Sequence, residues 1–183
     1  MKLRTCVLSL AILAALAAPA LAQTAPAPLR SPDVIFVPTP QEVVDAMLKL
    51  AKVTATDVVY DLGSGDGRIP ITAARTYGAR GVGIDIDPAR IAEANENART
   101  AGVTDRVTFI LGDIFDPSVK IGEATVVTLY LWERLNAKLI PRFKSELRPG
   151  TRIVSNSFTM GPTWPPEKSE RVGIHYIYFW TVR

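Results

Sequence analysis

Two hydrophobic rhythms take turns along this chain. Runs rich in β-forming residues occupy 57–62, 81–86, 106–111, 124–131 and 151–158. Stretches with helical spacing separate most of them, at 68–77, 88–101 and 135–147. Pro70 fits the first turn of its helix, Asp87 is placed to cap the next, and Pro141 should start, kink or split the third. An earlier helix carries Val43, Val44, Met47, Leu48 and Ala51 on one face. Thr39 as N-cap, Pro40 in the first turn and Glu42 as the capping-box partner mark its start. The Pro149-Gly150 turn leads into the run at 151–158, and the β-rich end at 173–182 should pair with a segment near 170–172, adding an antiparallel strand within or beside the sheet. Strands alternating with helices predict an α/β protein, a mostly parallel sheet covered by helices on both faces.

The first residues follow a different pattern. Lys2 and Arg4 precede an apolar run from Cys6 to Ala18, and Ala20-Leu21-Ala22 is a small-residue cleavage site. Residues 1–22 therefore read as a signal peptide, 23–33 as a Pro-rich linker, and 34–183 as the folded domain. The competing reading is a membrane anchor, but the run is short for a span of about 20 residues and Pro19 interrupts it. The expected location is exported, periplasmic or secreted, with anchoring if the leader is not cut and no stable span once it is.

Removing the leader changes the charge argument. Two of the 21 basic residues go with it, leaving 19 against 18 acidic ones, so net charge falls from +3 to +1. The basic character of the full chain then gives no support for a nucleic-acid partner. Cys6 is the sole cysteine and His175 the sole histidine. No disulfide, cysteine nucleophile or metal site is expected.

The chemistry concentrates at Tyr60-Asp61-Leu62-Gly63-Ser64-Gly65-Asp66-Gly67-Arg68, a strand-to-helix turn with glycines at alternate positions. Such a turn lets a small molecule approach bare backbone near a helix N-terminus. A dinucleotide site uses G-x-G-x-x-G, and Asp61 would repel its pyrophosphate. A carboxylate suits a ligand with a positive charge, such as an ammonium or a sulfonium. Asp85, 22 residues after Gly63, ends the next strand, where an acid can bind ribose hydroxyls.

The glycine segment resembles the first motif of the class I S-adenosylmethionine (SAM) methyltransferases. The resemblance implies a Rossmann-like fold with a seven-stranded sheet, and SAM as cofactor. It makes Asp61, Gly63, Ser64 and Gly65 contacts of the methionine end. It places Asp113 opposite the adenine amino group, with Ile114 giving the ring a backbone N–H and Ile86 and Ile114 enclosing it. The segments at 36–40, 61–69 and 150–155 are similar to a smaller group, related to the Dot1-type histone-lysine enzymes and to mitochondrial protein-lysine methyltransferases acting on an ATP synthase subunit. Thr39, in the Val-Pro-Thr-Pro segment, joins the cofactor contacts on that ground.

The same resemblance implies a protein lysine as acceptor. Tyr130 and Trp132, after the fourth strand, are candidate channel walls, or else sheet-edge packing. Asn156 lies in Ser155-Asn156-Ser157-Phe158, where the Dot1 group carries a Ser-Ser-Lys-Pro-Phe-like segment, and is a candidate substrate contact. His175 reads as a strand residue and not a base. The Asn/Asp-Pro-Pro-aromatic motif of base-amine methyltransferases is absent, which argues against an exocyclic base amine as substrate, and no nucleic-acid partner is expected. Two alternatives stand beside the lysine reading: a small-molecule N- or O-methyltransferase, and an exported non-catalytic module of the same fold. The last arises because SAM, a charged molecule made in the cytosol, crosses membranes poorly.

Overall fold

The computed structural model describes residues 29–183, so the leader and most of the linker lie outside the described residues. The elements follow as α1 (Gln41–Leu50), β1 (Val58–Leu62), α2 (Arg68–Tyr77), β2 (Arg80–Asp85), α3 (Pro88–Ala101), β3 (Val107–Leu111), β4 (Val126–Leu129), α4 (Glu133–Glu146), β5 (Arg152–Asn156), β6 (Lys168–Val172) and β7 (His175–Thr181). One seven-stranded sheet holds all the strands, in the order β3-β2-β1-β4-β5-β7-β6. Its first five members are parallel, and β7 is inserted antiparallel between β5 and β6. The mostly parallel sheet and the terminal hairpin agree with the sequence pattern.

The sheet buries both faces, which is why its parallel strands read as nearly continuous apolar runs. On one face Val59, Val126, Val154 and Ile177 meet Val43, Val44, Met47 and Leu48 of α1 and Ile69 and Ala73 of α2. On the other, Leu62, Ile84, Leu129, Ile153 and Trp180 meet Leu135, Leu139 and Phe143 of α4. The edge strand β6 is exposed and charged, with Lys168, Glu170 and Arg171, which discourages pairing with another chain.

Two local expectations need correction. Helix α1 begins at Gln41 with Pro40 as its N-cap and no side-chain cap. Thr39 is instead buried, and its carbonyl accepts a 2.8 Å hydrogen bond from Arg68 Nη1. Tertiary demand on Thr39 thus overrides the local capping pattern. Pro141 neither starts nor splits α4, which runs through it. Its neighbours Leu139 and Phe143 are fully buried, and that packing offsets the lost backbone bond. The cap on α3 is as expected, with Asp87 Oδ1 accepting from the Ala89 N–H at 2.8 Å.

Candidate active site

All three acids reach the carboxyl edge of the sheet, where open α/β folds bind ligands. Asp61, Gly63, Ser64, Asp85, Ile86, Asp113, Ile114, Thr39 and Tyr130 line one cleft of about 940 Å³, its open mouth included. Gly63, Gly65 and Gly67 all have positive φ (86°, 52° and 78°), so the turn closes as their spacing suggests.

The turn spends most of its N–H groups on itself. Those of Gly63 and Ser64 donate to the Ile84 carbonyl at 2.8 and 3.0 Å, and that of Gly67 donates to the Ser64 carbonyl at 2.9 Å. Gly65 donates to Asp85 Oδ2 at 2.8 Å, and Asp87 N–H to Asp85 Oδ1 at 3.0 Å. Asp85 therefore fastens the glycine turn to β2, and its remaining lone pairs stay available for ribose hydroxyls. Gly65 also has a role that spacing does not reveal. A Cβ there would lie 2.2 Å from Phe36, whose ring occupies the bare face of the turn.

Asp61 is buried, and its Oδ1 accepts from Thr128 Oγ1 at 2.7 Å. Burial pushes its carboxyl up to about 8; the Thr128 hydroxyl opposes this, and Asp85 and Asp66 add to it. Ser64 Oγ, in the same cleft, is buried without a partner. A buried acid lacking a counter-charge and an unpaired hydroxyl in one cleft fit the ammonium and sulfonium of SAM.

Asp113 accepts from Phe115 N–H at 2.9 Å and pairs with Arg30, whose Nε and Nη2 reach its two oxygens at 2.6 and 3.1 Å. The Arg30 hydrogen bond, first among the causes, holds the Asp113 carboxyl below the usual range. Arg30 also pairs with Asp33 at 2.7 Å. Residues 30–39 thus cross the cleft as a strap. Arg142 of α4 braces the loop after β3 by donating to the carbonyls of Ile114 and Val119.

Sequence reasoning missed Arg30, Phe36, Arg68 and Thr128. Arg68 and Phe36 lie inside motif segments at 61–69 and 36–40 without a role that the motif reveals; Arg30 and Thr128 carry no local signal, because each acts across a long sequence separation. Trp132 is not brought into the cleft. It is half-exposed, with the Arg134 guanidinium 5.1 Å from its ring centre, so its place is on the rim surface. Asn156 is fully buried outside the cleft lining, near Tyr130 through His175.

A parallel sheet with a glycine turn and three strand-end acids in one cleft defines a SAM-dependent methyltransferase. Residues 61–168 match the model of the ANTKMT methyltransferase domain, and the chain belongs to that family. It is 46% identical over 142 residues to a protein-lysine N-methyltransferase of Saccharolobus islandicus (strain REY15A), covering 77% of this chain and 86% of that protein. It is 30% identical over 166 residues to a lysine N-methyltransferase of Xenopus laevis named for an ATP synthase subunit, covering 91% and 71%. A crystal structure described as an RNA methyltransferase from Salinibacter ruber, in complex with S-adenosyl-L-homocysteine, superposes with a TM-score of 0.77 at 55% identity, covering 80% and 94%.

Membership overturns the exported or membrane-anchored location expected from the leader. The family commits the chain to SAM, and the two relatives named above are lysine N-methyltransferases. Among the described residues no helix is long and apolar enough to cross a membrane. The non-catalytic alternative falls with it.

Proposed function

We propose that the chain transfers the methyl group of SAM to the side-chain amine of a protein lysine. The observation that carries this reading is the one cleft that gathers Asp61, Asp85 and Asp113, with Tyr130 in its lining. Asp61 takes the ammonium end of the methionine moiety. Asp85 accepts from the ribose hydroxyls, and Asp113 accepts from the adenine amino group once Arg30 yields it. Ile86 and Ile114 enclose the ring, with the Ile114 N–H directed to it. Gly63 and Ser64 leave room for the sulfur and its methyl group near Tyr130.

SAM supplies a methyl group activated by a sulfonium. The lone pair of the acceptor nitrogen forms the new N–C bond, the C–S bond breaks with its electron pair passing to sulfur, and the surplus proton on nitrogen leaves to water. The protein's part is alignment and a dry approach that keeps the amine neutral. The Tyr130 and Phe158 rings, with centroids 6.2 Å apart, offer such walls.

The protein-lysine relative at 46% identity supports the acceptor class. The Salinibacter neighbour favours a second reading, RNA, against which stands a balance of 19 basic and 18 acidic residues beyond the leader. Incubation with labelled-methyl SAM and cell extract, then separation into protein, RNA and small metabolites, decides between them. Label recovered as methyl-lysine is the expected result. Label in RNA or metabolites alone overturns the proposal.

A further inference from the structure

One row of side chains crosses the carboxyl edge on the α1 face of the sheet. Asp61 lies two residues after Val59, Asn156 two after Val154, and His175 two before Ile177. All three reference residues belong to the core beneath α1. Tyr130, two residues after the Thr128 that bonds Asp61, completes the row. The register sets Leu129 beside Ser155 and Asn156 beside Ile177, so the row runs outward from the methionine end of the cleft. Tyr130 links its halves: it lines the cleft, and its ring meets that of His175 edge-on at 6.3 Å.

The outer half holds a polar triangle that the cofactor does not need. Asn156 Oδ1 lies 2.9 Å from Ser157 Oγ and 3.1 Å from His175 Nδ1, and Ser157 Oγ lies 3.2 Å from the same Nδ1. Ser157 adopts φ of 63°, a conformation that non-glycine residues rarely hold without cause. Asn156 is fully buried, yet its Nδ2 has no partner. An unpaired buried amide end is costly and calls for a ligand or a role.

The amide has two orientations, and the proton on His175 selects between them. With a proton on Nδ1, the histidine donates to Oδ1 and leaves the NH₂ unpartnered. With Nδ1 bare, Nδ2 donates to it and Oδ1 takes the unpartnered place. Only the second orientation can accept an N–H from an amine and leave the amine's lone pair free to attack. We propose that Asn156, shut off behind Tyr130 and His175 until the acceptor enters, then anchors the acceptor amine through Oδ1, and that His175, assisted by Ser157, is the positioning residue that turns the amide toward it. This deepens the lysine reading and rests on it.

Four variants test it: Asn156→Leu, His175→Phe, His175→Asn and Ser157→Gly, the last compatible with the local backbone. The readouts are SAM affinity by calorimetry and the rate of methyl-lysine formation from labelled SAM on the protein fraction of cell extract. SAM affinity should be unchanged in all four. Transfer should fall about a hundredfold in Asn156→Leu, the size of losing one positioned hydrogen bond at a reacting centre. It should fall roughly tenfold in His175→Phe, as for a supporting residue. Ser157→Gly should show a smaller loss. His175→Asn places an amide where Nδ1 stood and should restore transfer. Wild-type rates in Asn156→Leu and His175→Phe overturn the proposal. So does a parallel loss of SAM binding, or a His175→Asn variant as slow as His175→Phe, since either reduces the triangle to packing. A wild-type protein that binds SAM but labels no lysine instead sinks the lysine reading, and this inference with it.

Discussion

Asp61 carries a charge problem that a cationic ligand would resolve. Its folded carboxyl is raised from the ordinary 3.8 to about 8, chiefly by burial. The sign follows directly: the folded protein holds this proton more tightly than the unfolded chain. Its contribution to stability is full below the ordinary value and is lost as pH rises through about 8. A cationic ligand beside Asp61 reverses the preference and expels the proton. Calorimetry at pH 7 in two buffers of different ionisation enthalpy should show the release of about one proton per SAM bound. Asp61→Asn should abolish the release and weaken SAM binding about tenfold or more, the scale of one charge-assisted hydrogen bond. The acid was legible in the sequence, because a strand end followed by a glycine turn is a local signal. Its partner Thr128 was not, lying 67 residues away on another strand.

The strap formed by residues 30–39 lines the cleft and ties its elements together. Phe36 rests on the bare face of Gly65, and the Arg90 guanidinium stands 4.9 Å from its ring centre. The strap thus joins the glycine turn to α3 across the cleft mouth. Phe36→Ala should remove about 0.5–1 kcal/mol of this contact, the range for an exposed cation–aromatic pair. SAM should then dissociate a few-fold faster in stopped-flow displacement, with the thermal midpoint nearly unchanged because Phe36 is partly exposed. Neither feature was legible. The Pro-rich composition of 23–33 suggests a tether, and nothing local shows that Arg30 reaches Asp113 across 83 residues. Pro141 teaches the same lesson in α4, where burial of the flanking residues outweighs a helix-breaking residue.

Across the whole molecule, chemistry and stability occupy opposite edges of the sheet. At the amino edge Asp57 Oδ1 accepts from Thr125 Oγ1 at 2.7 Å, Oδ2 from the Thr54 N–H at 2.8 Å, and Arg152 of β5 pairs with the same carboxylate. Burial alone would raise this carboxyl, but Thr125, Thr54 and Arg152 together hold it below its usual range. Its contribution is therefore present at neutral pH and lost as pH falls. Asp57→Ala should cost about 3 kcal/mol in urea unfolding, since it leaves Arg152 short of its partner. SAM affinity of the folded variant should not change. What the sequence determined by itself is what short range encodes: the alternation of strand and helix, the positive-φ glycine turn, and an acid at three strand ends. Those features imply a mostly parallel sheet with a ligand cleft at its carboxyl edge, because turn geometry is settled within a few residues, and the resemblance carried by the glycine motif names the ligand as SAM. Only the tertiary structure placed β7 between β5 and β6, moved Trp132 out of the cleft, laid Arg30 and Phe36 across it, and set His175 against Asn156. Each of these depends on strand order and on contacts between distant residues, and neither leaves a periodic trace in the chain.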